Sequence, residues 1–263
     1  MRAALCLYDP LVYRLASDTQ NGRLGGSDMG DAGQVGRGAP EGLWPPAFDA
    51  AIFDFDGTIA DTASVWREVD LAFLGQRGLE FTDDYSRTLS SLGFEAGARY
   101  TIERFGLKER PEDICAEWNR MGRALYRTRV TLRPGAEAYI RALRAWGVPC
   151  ALATTNDPGV LDSMQRVDVS SLFDARVHSA DVGAAKDVPT IYLEAARRLG
   201  VDPRRCLVFE DIVVGVLSAR RAHMRTCGVY SDDPAQQVAE LRRASDLFLY
   251  DWRDVDLGGA GEG

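Results

Sequence analysis

The stretch from residue 51 to residue 62 constrains the fold of this chain more than any other. Its apolar run at 51–53 is typical of a buried strand, and the string Asp54-Phe55-Asp56-Gly57-Thr58 follows directly. Because side chains alternate along a strand, Asp54 and Asp56 are expected to point the same way. Two carboxylates held close together repel each other, and a divalent cation that prefers oxygen ligands, such as magnesium, would relieve that repulsion. Ligands of open α/β sheets bind beyond the carboxyl ends of strands, so we expect a binding site here.

Gly57 and Thr58 add features of an anion site to these carboxylates. Gly57 allows a sharp backbone turn and the close approach of a ligand, and Thr58 contributes a hydroxyl next to backbone N–H groups that can hold an anion. The alternative interpretation is an aspartate-rich turn whose carboxylates are only solvated, since Asp-Gly alone is a common turn signal. The longer string favours the functional interpretation.

The pattern after this stretch divides the rest of the chain into a helical and an α/β segment. Helical spacing of apolar residues fills 63–131 without a strand signal. From 132 to 255, helices alternate with strand patterns, which lie at 149–153, 175–178, 206–209, 226–230 and 247–249. This alternation predicts an α/β fold, a doubly wound parallel sheet covered on both faces and formed by 48–62 and 132–255. The all-helical insertion at 63–131 is placed to close over the site as a lid.

Two terminal segments are predicted to lie outside this fold. Residues 1–47 are interpreted as a disordered extension, because the glycine-rich stretch at 21–42 has no helical or strand period. A start codon assigned too early, with Met29 as the true start, would explain the same stretch, and a transit peptide fits it less well because acidic residues recur. Residues 256–263 are predicted to form a flexible tail.

Composition argues against several classes of function. The formal net charge is −8 and the pI about 4.9, which disfavours non-specific binding to nucleic acid, because such binding depends on Lys and Arg at phosphates. No apolar run is long enough to span a bilayer, so no membrane association is expected. The five cysteines are scattered and form no Cys-x-x-Cys pair, a pattern typical of reduced thiols in a cytoplasmic protein.

Further polar candidates lie after the second predicted strand and in a later loop of the α/β segment. Thr154, Thr155 and Asn156 come directly after the second predicted strand, where a hydroxyl and the neighbouring N–H groups can hold a phosphate oxygen. An ordinary helix-capping turn is the alternative interpretation of these three residues. Lys186 lies in a loop with little other charge, just before a predicted helix, and can neutralise a phosphoryl group there. A solvated surface lysine is the alternative for Lys186.

Two adjacent acids, Glu210 and Asp211, close the strand predicted at 206–209. Adjacent residues of a strand face opposite ways, so we expect one of the two to bind a cation directly and the other to act through water or backbone support.

These four polar groups occur in the order and at the spacing of a known family. The chain resembles the haloacid dehalogenase-like hydrolases, in their phosphatase and β-phosphoglucomutase-like branch, and the four matching motifs lie at 54–58, 150–156, 182–189 and 209–216. The third motif departs from the usual Gly-Lys-Pro-x-Pro, because Ala185 and Asp187 flank Lys186. The resemblance covers about residues 49–250 and does not extend to 1–47.

The resemblance implies a Rossmann-like core with a small helical cap at 63–131 and a mechanism that passes through an aspartyl-phosphate. In that mechanism Asp54 is the nucleophile and Asp56 the general acid and base. Thr154 and Lys186 stabilise the transferring phosphoryl group.

The resemblance also implies a magnesium cofactor. Its ligands would be Asp54, the backbone carbonyl of Asp56, and Asp211, with Glu210 as the less favoured ligand. The residues expected to bind the substrate phosphate are Gly57, Thr58, Thr154, Thr155, Asn156 and Lys186.

The presence of Asp56 narrows the choice of reaction. Dehalogenases and phosphonate hydrolases lack this second aspartate, because their leaving groups do not need it as an acid. A β-phosphoglucomutase carries an arginine soon after a Leu-x-Gly pattern, but here Leu92-Gly93 is followed by an arginine only at Arg99. We therefore favour a phosphatase acting on a small phosphorylated metabolite, keep a phosphosugar mutase as the alternative, and consider a non-catalytic binding protein on the same fold least favoured.

Overall fold

Six parallel strands form a single sheet in the computed structural model, which describes residues 38–258. The strands are β1 (Ala50–Phe53), β2 (Cys150–Thr154), β3 (Ala175–His178), β4 (Cys206–Glu210), β5 (Arg225–Val229) and β6 (Leu247–Leu249). Their order across the sheet is β3-β2-β1-β4-β5-β6, so the first strand lies at the centre and pairs with β2 and β4. The structure confirms the predicted α/β class with a parallel sheet.

The central strand β1 is buried on both faces. Ala51 and Phe53 belong to one hydrophobic cluster, and Ala50 and Ile52 belong to a second cluster on the opposite face. The Phe53 ring stacks on Phe209 of β4, with ring centroids 4.7 Å apart. This two-sided burial fixes the position of β1, and the residues that follow it leave the sheet at its centre.

The first four of the five helices between β1 and β2 form the helical insert (residues 63–128). They are α1 (Ala63–Gly75), α2 (Asp83–Ser91), α3 (Phe94–Phe105) and α4 (Pro111–Thr128). The Thr82 hydroxyl accepts a hydrogen bond from the Tyr85 N–H and caps α2, and Pro111 occupies the first turn of α4. The insert has a hydrophobic cluster of its own, which includes Phe73, Tyr85 and Trp118.

The remaining helices cover the two faces of the sheet. They are α5 (Ala136–Ala145), α6 (Pro158–Leu161), α7 (Val169–Leu172), α8 (Ser179–Val182), α9 (Thr190–Leu199), α10 (Val213–Arg221) and α11 (Val238–Ala244), with short 3-10 turns at Pro203–Arg205 and Trp252–Asp254. The sequence pattern did not reveal α8 or the 3-10 turns. Helix α11 begins only at Val238, and just before it the Gln236 side chain donates to the carbonyls of Asp211 and Val229.

The packed core extends beyond both predicted boundaries. Leu43 is fully buried, and its carbonyl accepts a hydrogen bond from the Tyr139 hydroxyl, so residues 38–47 do not fit the predicted disordered extension. Leu257, which lies within the segment predicted as a flexible tail, packs against the hydrophobic cluster that contains Leu43 and Phe53. Residues 1–37, including Met29, and residues 259–263 lie outside the described part of the chain. Across residues 38–258, no helix is both long enough and apolar enough to cross a membrane.

One buried acid in the helical insert predicts how stability depends on pH. Asp70 of α1 is 6% exposed, and burial raises its pKa from 3.8 to about 7, although the Arg67 charge opposes the shift. The folded state therefore holds the Asp70 proton more tightly than the unfolded chain does. The contribution of Asp70 to the free energy of unfolding therefore falls as pH rises from about 4 to about 7, and it stays constant at higher pH.

Asp70→Asn replaces the protonated acid by a neutral side chain of the same shape. We expect the free energy of unfolding of the variant, relative to wild type, to rise between pH 4 and pH 8 by up to about 4 kcal/mol. Denaturant unfolding at a series of pH values measures this difference. A difference that does not change with pH would contradict the assignment.

Candidate active site

Three carboxylates meet at the carboxyl edge of the two central strands. Asp54 follows β1, Glu210 is the last residue of β4, and Asp211 comes next; each offers an oxygen that lies within 4.8 Å of the other two. The pairing of β1 with β4 causes this meeting, because Phe53 is in register with Phe209 and the Asp54 N–H donates to the Phe209 carbonyl at 3.0 Å. All three side chains are buried, and we call them the acidic cluster.

The prediction that Glu210 and Asp211 face opposite ways is wrong. Both carboxylates reach the acidic cluster, because β4 ends at Glu210 and the backbone bends at Asp211. The alternation of side chains holds only inside a strand, so it does not apply past its last residue. The two acids nevertheless have different partners: Glu210 contacts Lys186, whereas Asp211 accepts a hydrogen bond from the Thr58 hydroxyl at 3.4 Å.

Lys186 supplies a positive charge to the acidic cluster. Its side chain is 2% exposed, and its Nζ donates to Asp54 Oδ1 and, at 2.5 Å, to Glu210 Oε1. Burial opposes the ammonium charge, but the two carboxylates outweigh it and raise the pKa of Lys186. The Tyr192 hydroxyl donates to Glu210 Oε1 at 2.7 Å and fixes that carboxylate. Lys186 is therefore a buried cation in contact with the acidic cluster, and the alternative of a solvated surface lysine is wrong.

The residues of the acidic cluster fit a divalent cation. Three carboxyl groups share the single Lys186 ammonium in a buried space, so a cation bound there would offset the repulsion between them. Burial, and next the neighbouring Asp54 and Glu210, raise the pKa of Asp211 well above its ordinary value. The donors are all carboxylate oxygens, the type of ligand that magnesium prefers. The Asp56 side chain does not belong to the group of three.

Gly57 makes the close approach of Asp211 possible. Its φ of +79° is in the left-handed region, and a Cβ there would lie 2.1 Å from Asp211 Oδ2, so a larger residue would displace that carboxylate. Thr58 is fully buried, with its hydroxyl on Asp211 and its carbonyl accepting from the Trp252 indole. The predicted sharp turn is present, and in this structure the group that approaches the glycine is a carboxylate of the protein itself.

The second aspartate of the motif, Asp56, is held by side chains of the helical insert. Asp56 Oδ1 accepts from the Trp66 indole N–H at 3.0 Å and from the Tyr126 hydroxyl. Burial, and then the charge of Asp54, raise the pKa of Asp56, whereas hydrogen bonds from Tyr126, Thr62 and Trp66 lower it. The structure therefore separates the two aspartates, placing Asp54 with Lys186 and Asp56 with the insert.

The residues at the end of β2 are hydrogen-bonded to one another and to Asp56. The Thr154 hydroxyl accepts from the Asn156 N–H at 3.1 Å, which is the turn-capping contact of the alternative interpretation. The Asn156 side-chain amide donates to Asp56 Oδ2 at 3.1 Å, while Thr155 is half-buried beside it. Thr154 and Asn156 are buried, so the structure brings this motif to the same edge of the sheet as Asp54.

Sequence reasoning missed the aromatic residues that contact the site acids. Trp66 and Tyr126 bind Asp56, and Tyr192 binds Glu210. Trp66 lies at helical spacing from Val69, so its position predicts only a core residue. A local signal for such contacts does not exist, because they depend on how helices far apart in sequence pack over a strand end.

Comparison with known proteins gives the family. The family profile for haloacid dehalogenase-like hydrolases matches residues 48–223. The chain belongs to this family. Protein CbbY of Rhodobacter capsulatus is 30% identical over 80% of this chain and 94% of its own length. Hexitol phosphatase B of Escherichia coli (strain K12) is 26% identical over 74% of this chain and 91% of its own.

A solved structure shares the fold of this haloacid dehalogenase-like hydrolase. The crystal structure of β-phosphoglucomutase from Clostridium difficile superposes with a TM-score of 0.68 and covers 80% of this chain and 93% of its own, at 20% identity. At that level of identity, the likeness shows the fold alone. The family match, together with relatives named as phosphatases, agrees with the resemblance seen in the four motifs.

The fit of the acidic cluster to a cation predicts stabilisation by magnesium. Only the folded chain brings the three carboxylates together, so Mg²⁺ should raise the free energy of unfolding, by about 2.7 kcal/mol at about a hundred times its Kd. Asp211→Asn should remove most of this increase, whereas Asp232→Asn, at an exposed position, should keep it. Thermal unfolding with and without Mg²⁺ measures the effect. An equal Mg²⁺ response in wild type and Asp211→Asn would show that the ion binds elsewhere.

Proposed function

We propose that this protein is a magnesium-dependent phosphatase that hydrolyses a small phosphate monoester through an aspartyl-phosphate on Asp54. One observation carries the proposal: Asp54 lies buried at the end of the central strand, in contact with the Lys186 ammonium and beside Glu210 and Asp211. A second carboxylate, Asp56, follows two residues later and has a separate environment. Two carboxylates with different surroundings suit a nucleophile and a proton-transfer group.

The first half of the reaction transfers the phosphoryl group to the protein. An oxygen of Asp54 attacks phosphorus, the bond between phosphorus and the ester oxygen breaks, and the departing oxygen takes a proton from Asp56. The products are the free alcohol and an acyl phosphate on Asp54. A proton from Asp56 matters most when the alcohol is a poor leaving group.

The second half returns the protein to its starting state. Water attacks the phosphorus of the aspartyl-phosphate, Asp56 accepts a proton from that water, and the bond between phosphorus and the Asp54 oxygen breaks. Inorganic phosphate leaves, Asp54 is again a carboxylate and Asp56 is again protonated.

Charge neutralisation is the main task of the surrounding residues. Lys186 would balance the negative charge shared by Asp54 and the phosphoryl group, and the Thr154 hydroxyl would hold a phosphoryl oxygen. The remaining predicted phosphate contacts, Gly57, Thr58, Thr155 and Asn156, lie on the two loops that follow β1 and β2. Magnesium, held by Asp54, Asp211, the Asp56 carbonyl and, less directly, Glu210, would screen charge between the nucleophile and the phosphate.

The helical insert would act as a cap over this site. This proposal is supported by the contacts of Trp66 of α1 and Tyr126 of α4, which both reach Asp56. Asp54 is 3% exposed and Lys186 is 2% exposed, as expected of a site from which a cap excludes water. A substrate would then have to enter when the cap opens.

Composition supports the proposed setting of the enzyme. The four cysteines in the described part of the chain are free thiols, which suits a cytoplasmic location, and the acidic net charge of −8 suits a metabolite substrate better than nucleic acid. The name of the hexitol phosphatase relative favours a phosphorylated polyol or sugar among candidate substrates. The structure of the insert favours hydrolysis over the mutase alternative, because Arg99 is exposed and pairs with Glu95 on its own helix.

Replacing the nucleophile tests the proposal. Asp54→Asn should reduce phosphate release to the detection limit while the chain stays folded, because an amide cannot form the acyl phosphate. The assay is phosphate release with Mg²⁺ across a panel of sugar, polyol and other small phosphate monoesters, with Asp232→Asn as the matched control that keeps activity. Normal turnover by Asp54→Asn would contradict the mechanism, and an absence of Mg²⁺-dependent turnover in wild type would favour a non-catalytic binding protein.

The mutase alternative predicts a different product. With β-glucose 1-phosphate as substrate, a phosphatase releases glucose and phosphate, whereas a mutase returns an isomerised sugar phosphate with little free phosphate. Product analysis by phosphorus NMR distinguishes the two. We expect hydrolysis, and a dominant isomerised product would overturn the assignment.

A further inference from the structure

The hydroxyl of Tyr126 is the centre of a hydrogen-bond network under the helical insert. The side chain is 1% exposed, and its oxygen contacts Asp56 Oδ1, the Trp66 indole N–H at 2.8 Å and the Asn156 amide at 3.0 Å. Its ring stacks on Phe55 with centroids 6.4 Å apart, so the phenol is held by packing as well as by polar contacts. One oxygen therefore joins α1, α4, the β1 loop and the β2 loop.

The chemistry of these partners fixes the direction of each hydrogen bond. The Trp66 indole and the Asn156 NH₂ group are donors only, so neither can accept a hydrogen bond from Tyr126. The single indole hydrogen of Trp66 is shared between the Tyr126 oxygen and Asp56 Oδ1, and the Asn156 NH₂ group donates to the Tyr126 oxygen. The single phenolic hydrogen then has one remaining partner, the Asp56 carboxylate. Tyr126 must donate to Asp56, and its oxygen has no further capacity.

The Asn156 orientation is fixed in the same way. Its Oδ1 accepts from the Asp157 N–H at 3.0 Å, which leaves the NH₂ group to face Tyr126 and Asp56. The Asn156 carbonyl is in turn bound to the ring Nδ1 of buried His178 at 2.8 Å. The network thus has a single consistent assignment and rests on the core of the sheet.

We propose that Tyr126, supported by Trp66, is a positioning residue that holds the Asp56 carboxyl in place for proton transfer. This inference rests on the proposed function, because it assigns Asp56 the task of protonating the leaving oxygen. Asp56 lies outside β1, in the loop that follows it, so the strand does not fix its side chain. The two insert side chains hold Oδ1 and Asn156 holds Oδ2, which leaves the carboxyl group little freedom to rotate.

The position of Asp56 should affect the rate of phosphoryl transfer most when the leaving oxygen needs a proton. An alkyl or sugar alkoxide leaves poorly without a proton, whereas a nitrophenolate leaves readily without one. A misplaced Asp56 therefore slows the transfer from alkyl phosphates and hardly changes the transfer from aryl phosphates. A general loosening of the fold would slow both reactions alike.

The test is kcat/KM of Tyr126→Phe for two esters, the preferred alkyl phosphate of the wild type and p-nitrophenyl phosphate, with Mg²⁺ present. This ratio reports the steps up to departure of the alcohol and is independent of later phosphate release. We expect about a 10- to 100-fold loss with the alkyl ester and a loss of about threefold or less with the aryl ester. Phenylalanine keeps the ring packing and removes only the hydroxyl.

The matched control is Tyr85→Phe. Tyr85 is fully buried in the same helical insert, and its hydroxyl bonds to Thr101 at 3.0 Å, far along the chain from the network. The control should keep the wild-type ratio of the two kcat/KM values. Trp66→Phe removes the indole donor to the Tyr126 oxygen and should change the ratio of the two kcat/KM values in the same direction as Tyr126→Phe. It serves as the second variant if Tyr126→Phe folds poorly.

The outcomes separate this inference from the proposed function. If kcat/KM falls equally for the two esters, or does not fall, in both Tyr126→Phe and Trp66→Phe, the positioning role is overturned. The phosphatase proposal would still stand in that case, provided that wild type turns over the esters and Asp54→Asn does not. No turnover of either ester by wild type would overturn the proposed function and this inference together. A selective loss with the alkyl ester supports the inference.

Discussion

The contact of one buried ammonium with buried carboxylates is the interaction on which the rest of the site depends. Lys186 reaches Asp54 and Glu210 where solvent is excluded, and Asp211 adds a third carboxylate within 4.8 Å. Such crowding of charge is costly to bury unless each group has partners. The fold accepts this cost at the carboxyl edge of its central strands, where a phosphate and a cation would complete the balance of charge.

The parallel sheet makes that crowding possible. Its central strand is buried on both faces, so packing against the two clusters holds the start of the Asp54 loop in place. The turn at Gly57 and the bend after Glu210 then bring acids from two strands together. The helical insert has its own apolar cluster and contributes Trp66 and Tyr126 to Asp56, so the proton-transfer group depends on both parts of the molecule.

The sequence predicted the residues of the site better than their contacts. Asp54, Glu210 and Asp211 could be found because polar residues at the carboxyl ends of parallel strands must meet at one edge. Lys186 could be found because it lies in a loop with little other charge, just before a helix. That Glu210 and Asp211 both face the acidic cluster could not be predicted, because the alternation of side chains ends with the strand. Tyr126 could not be assigned to Asp56 either, since its contact joins residues 70 positions apart and depends on how α4 packs over the β1 loop. The alternation of strand and helix patterns predicted the parallel sheet, because the spacing of apolar residues reflects their burial against it.

The most direct test of the central claim is to stop the reaction at the acyl phosphate. In Asp56→Asn, p-nitrophenyl phosphate needs no acid for its leaving group, but the water that should attack the intermediate has lost its base. We expect a burst of about one nitrophenol per protein molecule, followed by a stall, with phosphate recovered on the peptide that contains Asp54. Phosphate on another residue, or neither burst nor bound phosphate in a variant of an active wild type, would contradict the assignment of Asp54 as the nucleophile.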